Sequence, residues 1–336
     1  VTSSPERLRV EAAGLDPDLL ARAAAAPPFF VVGSPRSGTT LVRMMLDCHP
    51  NLAVPRESHF VVGLAGRRFR MARRPGLAIE RILTHQRFAR WGLDPDLVRA
   101  AAGVLGPRTY ADAVRVVFAT WAAAAGKPRW GDKTPGYVSH IPLLARLFPD
   151  ARFVHVIRDG REVAASVAET WFGPDDPVAA AHWWRARVRD GLRDGRRLGT
   201  ARYMELHLRD LIADPERAMR QVLDFLGEPW SPAVLDYRAK AEAFLAQRAT
   251  NPRMEIHRHL VKPPTPGLRD WRAGLSPRTC RLVEAACAPV LAGLGYPVGP
   301  VRWADTVAAR LRQLAAVRSE VVPAVRLRMK RWRREF

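Results

Sequence analysis

Phe29-Phe30-Val31-Val32-Gly33-Ser34-Pro35-Arg36-Ser37-Gly38-Thr39-Thr40 is the stretch that decides the fold. Its four leading residues are all apolar, with no polar alternation, the pattern of a strand buried on both faces in a parallel sheet. The eight that follow form a Gly-rich turn, after which Leu41, Val42, Met44, Met45 and Leu46 fit a helix. In a strand–turn–helix unit of this kind, successive backbone N–H groups point into the turn and the helix N-terminus carries partial positive charge. An oxyanion is therefore favoured there. Gly33 and Gly38 let the backbone approach it closely, and Ser37, Thr39 and Thr40 add hydroxyl donors.

The glycine spacing matches the nucleoside-triphosphatase loop G-x-x-x-x-G-K-[ST], but Thr39 stands where that loop needs its Lys. The cation is Arg36, inside the loop, and the strand 152–157 ends in Arg158 where an acidic magnesium partner would be expected. Both departures oppose a kinase or triphosphatase, whose chemistry depends on that Lys and a bound magnesium ion. A Gly-rich turn that binds nothing is the structural alternative.

Further strands are read at 128–132, 152–157 and 202–208, and helices at 141–148, 159–170, 178–199 and 215–226. The alternation predicts an α/β fold, three layers α/β/α around a central parallel sheet. Residues 1–27 read as a helical lead-in with Asp16-Pro17 as a turn or cap. Residues 60–125 read as helical, broken at Arg74-Pro75-Gly76, Gly92 and Gly106-Pro107. The main domain is expected over 28–300, and residues 301–336 are expected to form a basic amphipathic helix.

The chain has 336 residues and a formal net charge of +21, carried by 49 Arg and only 5 Lys against 33 acidic side chains. Composition excludes a collagen, a low-complexity chain and a disulfide scaffold. No apolar run reaches the roughly 18–20 residues of a spanning helix. Cys48, Cys280 and Cys287 are odd in number and well separated, which suits free thiols, and the cytoplasm is the expected location. The nine His form no metal-ligand pattern, so no metal is expected, and His257 and His259 read as surface residues. The positive charge points to anionic partners. No nucleic-acid motif accompanies it, so nucleic acid is not expected among them.

Pro35-Arg36-Ser37-Gly38-Thr39-Thr40 resembles the P-[KR]-[ST]-G-[TS]-[TS] core of sulfotransferases that use 3′-phosphoadenosine 5′-phosphosulfate. The resemblance implies a nucleotide-kinase-like fold in which Ser34, Pro35, Arg36, Ser37, Gly38, Thr39 and Thr40 hold the 5′-phosphosulfate. Arg158 followed by Ser166 reproduces the family's spacing for a 3′-phosphate clamp, and an Arg fork suits phosphate. Read without the family, Arg158 is equally a strand-end Arg paired with Asp159 or Glu162. Residues 39–50, Thr39-Thr40-Leu41-Val42-Arg43-Met44-Met45-Leu46-Asp47-Cys48-His49-Pro50, are similar to the protein-tyrosine sulfotransferase branch. There a Glu shortly afterwards is the general base, which implies that role for Glu57. A Glu paired with Arg56 is its structural alternative, and His59 is the local rival, since the branch acting on small phenols and steroids uses a His. Trp130-Gly131-Asp132-Lys133-Thr134-Pro135 resembles the family's N/D-K-x-P segment, implying that Lys133 contacts the transferring group. Val261-Lys262-Pro263 with Trp271 resembles the late nucleotide-covering loop, implying a contact from Lys262. One departure is plain: Leu208-Arg209 stands where many relatives have Tyr-Glu beside the adenine.

The resemblance implies sulfonate transfer from 3′-phosphoadenosine 5′-phosphosulfate, without a metal, leaving adenosine 3′,5′-bisphosphate. Glu57 would act as base, with Arg36, Lys133 and the loop amides on the reacting oxygens. The acceptor is a hydroxyl on a small molecule, glycan, lipid or secondary metabolite, with peptide tyrosine as the alternative and acidic groups on the acceptor suiting the net charge. Residues 61–125 and 171–200 would be the acceptor-side helical layers. A non-catalytic anion-binding protein of the same fold is the competing class. Residues 301–336 hold ten basic and three acidic side chains, a net +7. Within them 323–336 read either as a helix docked on the domain or as peripheral contact with an anionic membrane.

Overall fold

β1, Phe29–Gly33, is buried along its whole length and sits at the centre of the sheet. The computed structural model describes residues 14–65, 74–170, 172–246, 261 and 271–316. β2 is Leu52–Ala53, β3 Arg129–Lys133, β4 Arg152–Ile157 and β5 Tyr203–His207, in the spatial order β2-β3-β1-β4-β5 with every pairing parallel. The helices are α1 (Pro17–Ala25), α2 (Thr39–Cys48), α3 (Phe60–Ala65), α4 (Pro75–Leu83), α5 (Pro95–Leu105), α6 (Tyr110–Ala124) and α7 (Ile141–Leu147). They continue with α8 (Gly160–Ala168), α9 (Pro177–Arg196), α10 (Leu208–Ala213), α11 (Pro215–Leu226), α12 (Arg238–Ala246) and α13 (Pro277–Gly293). Residues 303–316 are also helical.

The period of two along the strands builds three layers. Phe30, Val32 and Phe153 face one side, under α1, α6 and α7, while Phe29, Val31, Val154 and Val156 face the other, under α2 and α11. Phe118 from α6 stacks on Trp130 of β3 at 4.5 Å between centroids, and Phe30 meets the edge of the same indole. Deleting an indole so buried costs about 3–5 kcal/mol. A third apolar cluster joins Ile157 to α8, α9 and α13.

The expected α/β fold with a central parallel sheet is the one found. β2 is an addition: two residues are too short to show any hydrophobic period. Lys133 is the last residue of β3, one position beyond the strand read from sequence, and α9 ends at Arg196, three residues earlier than the periodicity suggested. β5 stops at His207 because Leu208 opens α10, so Leu208-Arg209 is helical. Gly92 and Gly106 end helical pieces in the left-handed conformation, as the breaks at those positions predict. Cys48, Cys280 and Cys287 are free thiols. No described helix is long and apolar enough to cross a membrane. Lys262, His257, His259 and residues 323–336 lie outside the described residues.

Candidate active site

In a parallel sheet all strands end on one edge, and ligands bind there. The register aligns Val31 with Lys133 and Gly33 with Val156, two residues before Arg158. The loop after β1, the end of β3 and the end of β4 therefore share one rim.

The loop itself is shaped for an anion. A Cβ at Gly33 would lie 2.5 Å from the Val156 carbonyl oxygen, so only glycine lets β1 and β4 run this close at the loop entrance. Gly38 has φ 93° and serves as N-cap of α2 with no side-chain cap, leaving the first N–H groups of the helix without side-chain acceptors. Arg36 also takes a left-handed backbone, φ 74°, a conformation that costs a non-glycine about 1–2 kcal/mol and tends to mark functional sites. The hydroxyls of Ser34 and Ser37 are buried without a hydrogen-bond partner among the described residues. Each such orphan costs about 1–3 kcal/mol unless a ligand satisfies it. Glycine cradle, uncapped helix start and two orphaned hydroxyls together fit a phosphosulfate group.

The two halves of the predicted nucleotide clamp meet at this loop. Arg36 Nε donates to Ser166 Oγ at 3.0 Å, and Arg158 donates from a guanidinium NH to the Arg36 carbonyl at 3.2 Å. Arg158 also pairs with Glu162 at 2.7 Å. The structural alternative for Arg158 thus holds together with the loop contact, and Glu162 fixes the fork while it reaches the loop. Ser166 sits on α8, whose start is capped by the Asp159 carboxylate.

Glu57 reaches Lys133 because of β2. Leu52 and Ala53 pair with Arg129 and Trp130, so the chain runs alongside β3 and delivers residues 57–59 to its end. The turn into β2 is held by Asp47, which accepts from the Val54 N–H at 3.0 Å, and by Lys127 Nζ on the carbonyls of Asp47 and Leu52. His49 fixes the same turn, accepting from the Asn51 N–H at 3.1 Å. The Asp47 and His49 positions of the sequence motif are thus scaffolding for Glu57.

Lys133 Nζ lies 2.6 Å from Glu57 Oε1 and 3.3 Å from Thr40 Oγ1, tying the base candidate to the loop. His59 Nε2 is 3.0 Å from the other Glu57 oxygen, and His59 adopts φ 53°. The rival base therefore touches Glu57. The ion pairs of Glu57 seen among the described residues are with Lys133 and His59. Burial disfavours the Glu57 charge, but the Lys133 ammonium and hydrogen bonds from His59 and Lys133 outweigh it and hold the carboxyl well below the usual carboxylate range. The Lys133 side chain is only 5% exposed, and Glu57 is its counter-ion.

A buried network behind this pair was not legible as functional. Ser58 Oγ donates to Asp132 Oδ2 at 2.5 Å and lies 2.9 Å from the Tyr137 hydroxyl, while Thr134 Oγ1 donates to Asp132 Oδ1 at 2.9 Å. The Ser58 N–H donates to Thr134 Oγ1 at 3.2 Å, stitching the Glu57 segment to the end of β3. Burial pushes the Asp132 carboxyl up to about 6 despite these hydrogen bonds. The signal in sequence was the polar run Asp132-Lys133-Thr134 at the end of a strand that is buried along its whole length. Beyond Glu57, Arg87 carries a guanidinium held below its ordinary value by burial and by Arg90, with the Glu57 charge opposing. Arg43 and Arg56 both lie over the Phe244 ring, at 5.8 and 5.9 Å. The 85–90 part of the helical layer thus brings positive charge to the side of Glu57.

A parallel sheet with a Gly-rich anion loop, a second cation clamp and a Lys-paired carboxylate defines a class of group-transfer protein acting on a phosphate-bearing donor. The sulfotransferase family pattern matches residues 27–232, more than half of the chain, and the chain belongs to that family. It is 27% identical over 278 residues to the protein-tyrosine sulfotransferase of Drosophila melanogaster, covering 80% of this chain and 52% of the relative. It is likewise 27% identical over 286 residues to protein-tyrosine sulfotransferase 1 of Danio rerio, covering 80% of this chain and 72% of that one. The chain therefore spans about half the length of the fly relative. Among solved structures, the sulfotransferase domain of the Synechococcus PCC 7002 olefin synthase superposes with a TM-score of 0.58 at 25% identity, covering 82% of this chain and 96% of that domain.

Proposed function

We propose that this protein transfers a sulfonate group from 3′-phosphoadenosine 5′-phosphosulfate to the hydroxyl of a small-molecule, glycan, lipid or secondary-metabolite acceptor. The observation that carries the reading is the Glu57–Lys133 pair, 2.6 Å apart, joined through Thr40 to a loop with two orphaned buried hydroxyls. When bound, the donor supplies an activated sulfonate on a phosphate anhydride. Ser34, Ser37, Thr39, Thr40 and the amides of the α2 start would hold its 5′ end, with Arg36 alongside. Arg158 and Ser166 would hold its 3′-phosphate, the feature that separates it from ATP.

Glu57 takes the proton of the acceptor hydroxyl. In the resting site its low proton affinity makes it a weak base. An anion beside Lys133 competes for the same ammonium, weakens the pair and moves Glu57 toward the ordinary carboxylate range. The base thus strengthens only when the donor site is filled. Lys133 meanwhile offers a compact cation where charge builds on the reacting oxygens. The Ser58–Asp132–Tyr137 network holds Glu57 in place.

The fit to the olefin-synthase domain, nearly complete in that domain's length, supports a non-peptide acceptor. The similarity to animal protein-tyrosine sulfotransferases supports peptide tyrosine as the second reading. Radiolabelled donor offered with a tyrosyl peptide, a phenol, an alkyl alcohol and an oligosaccharide tests both. Label on a non-peptide hydroxyl is expected. Label on the peptide alone establishes the second reading, and no transfer with no donor turnover overturns both.

A further inference from the structure

Residues 303–316 form a helix whose two sides differ sharply. At 100° per residue, Ala309, Asp305 and Arg312 share one side, and that side meets the domain. The Ala309 carbonyl lies 3.2 Å from His182 Nε2, and Arg312 pairs with Asp176 at 2.6 Å. Trp303, Val307, Leu311 and Leu314 recur at i, i+4, i+8 and i+11 on the opposite side. Trp303 is 80% exposed and Leu311 62%. An apolar stripe of this size on a surface helix marks a contact site.

The surroundings say what kind. Arg310 sits within the stripe and is near enough to Arg185 of α9 for their charges to repel. Arg185 and Arg189 lead into a cavity of 380 Å³ between α9 and α13, walled also by Arg196 and floored by Leu192, Val290 and Leu294. Arg196 is paired with Glu205, but Arg185, Arg189 and Arg310 have no carboxylate partner among the described residues. Unneutralised guanidinium groups, an apolar-floored cavity and an apolar stripe with an interfacial Trp lie side by side. Residues 301–336 add a net +7. Trp suits the boundary between headgroup and acyl chain, and cations beside it suit anionic headgroups.

We propose that the 303–314 stripe and the Arg185–Arg189 cavity together form a docking surface for an anionic lipid bilayer. The stripe enters the interface and the cavity receives an anionic lipid headgroup. This surface is separate from the chemistry at Glu57.

The test is co-sedimentation of the full chain with phosphatidylcholine vesicles and with phosphatidylcholine–phosphatidylglycerol vesicles. The variants are W303E/L311E and R189E/R310E, with circular dichroism to show that each is folded. Wild type is expected to bind the anionic vesicles and to lose binding at high salt. Each double variant is expected to bind about tenfold less or weaker still, while binding adenosine 3′,5′-bisphosphate as wild type does. Binding by either folded variant at the wild-type level overturns the proposal, as does no binding of wild type to anionic vesicles. If wild type is a dimer that W303E/L311E turns into a monomer, with no vesicle binding by either, the stripe is a contact between copies and the proposal fails.

Discussion

Replacing Glu57 by Gln keeps the side-chain shape and removes the charge. The carboxylate holds Lys133 at 2.6 Å and meets His59 at 3.0 Å. Gln can keep an oxygen toward Lys133, but it cannot accept a proton. A positioned general base contributes about 10²–10⁴-fold to rate, or about 3–5 kcal/mol at 1.36 kcal/mol per decade. Turnover of Glu57→Gln should fall by that factor. Stability should fall less. Lys133 is 5% exposed, and losing the partner of a buried pair costs about 3–5 kcal/mol. Because Glu57 is itself 31% exposed, solvent screening reduces this to about 1–2 kcal/mol. Binding of adenosine 3′,5′-bisphosphate should hold or tighten, since Lys133 no longer shares its charge. Transfer kinetics and calorimetry on the same preparation separate the effects. Turnover within about threefold of wild type refutes the base assignment. Equal losses in turnover and bisphosphate affinity would refute it too, reducing Glu57 to a holder of Lys133.

Arg158→Ala should weaken adenosine 3′,5′-bisphosphate by about 10–100-fold in calorimetry, the worth of a charge-assisted hydrogen bond, and leave adenosine 5′-diphosphate nearly unchanged. Asp132→Asn should alter stability with a defined sign. The folded carboxyl titrates at about 6 and the unfolded one near its ordinary value of about 4. Between those values the unfolded chain binds fewer protons, so wild type loses up to about 3 kcal/mol as pH rises from 4 to 6 and the Asn variant does not. Urea unfolding across that range reads the difference. Gly33→Ala should lower the melting temperature measurably, because its Cβ would fall 2.5 Å from a backbone oxygen that cannot rotate away. Ser166→Ala should weaken bisphosphate binding by up to about tenfold, because it removes a hydroxyl from the 3′-phosphate side and its hydrogen bond from Arg36.

The parts of the fold that were legible are those with a period or a punctuation mark. Phe29–Val32 is apolar throughout, and Arg152–Ile157 is apolar but for Arg152 and His155, because both faces of a central strand are covered. α11 was bounded to the residue because Asp214 caps its start and Gly227 its end. β2 was not legible, since two residues carry no pattern, yet it is the element that brings Glu57 to Lys133. Glu57, Lys133, Arg36, Arg158 and Ser166 could be named from motif spacing, and the fold joins them through short contacts at one rim. The Ser58–Asp132–Tyr137 network could not, because its members are far apart in sequence and ordinary one by one. The net charge of +21 pointed only to anions of some kind. The structure distributes part of it: Arg36, Lys133 and Arg158 at the rim of the sheet, Arg87 near Glu57, and Arg185, Arg189 and Arg310 on a separate surface.

Whether the donor site is built for a 3′-phosphorylated nucleotide is decided by calorimetry of the chain with adenosine 3′,5′-bisphosphate and, in parallel, adenosine 5′-diphosphate. One bisphosphate is expected to bind per chain, at least about tenfold tighter than the diphosphate, because the Arg158–Ser166 clamp at the loop then has a 3′-phosphate to hold. Equal affinity for the two, or no binding of the bisphosphate, would contradict it.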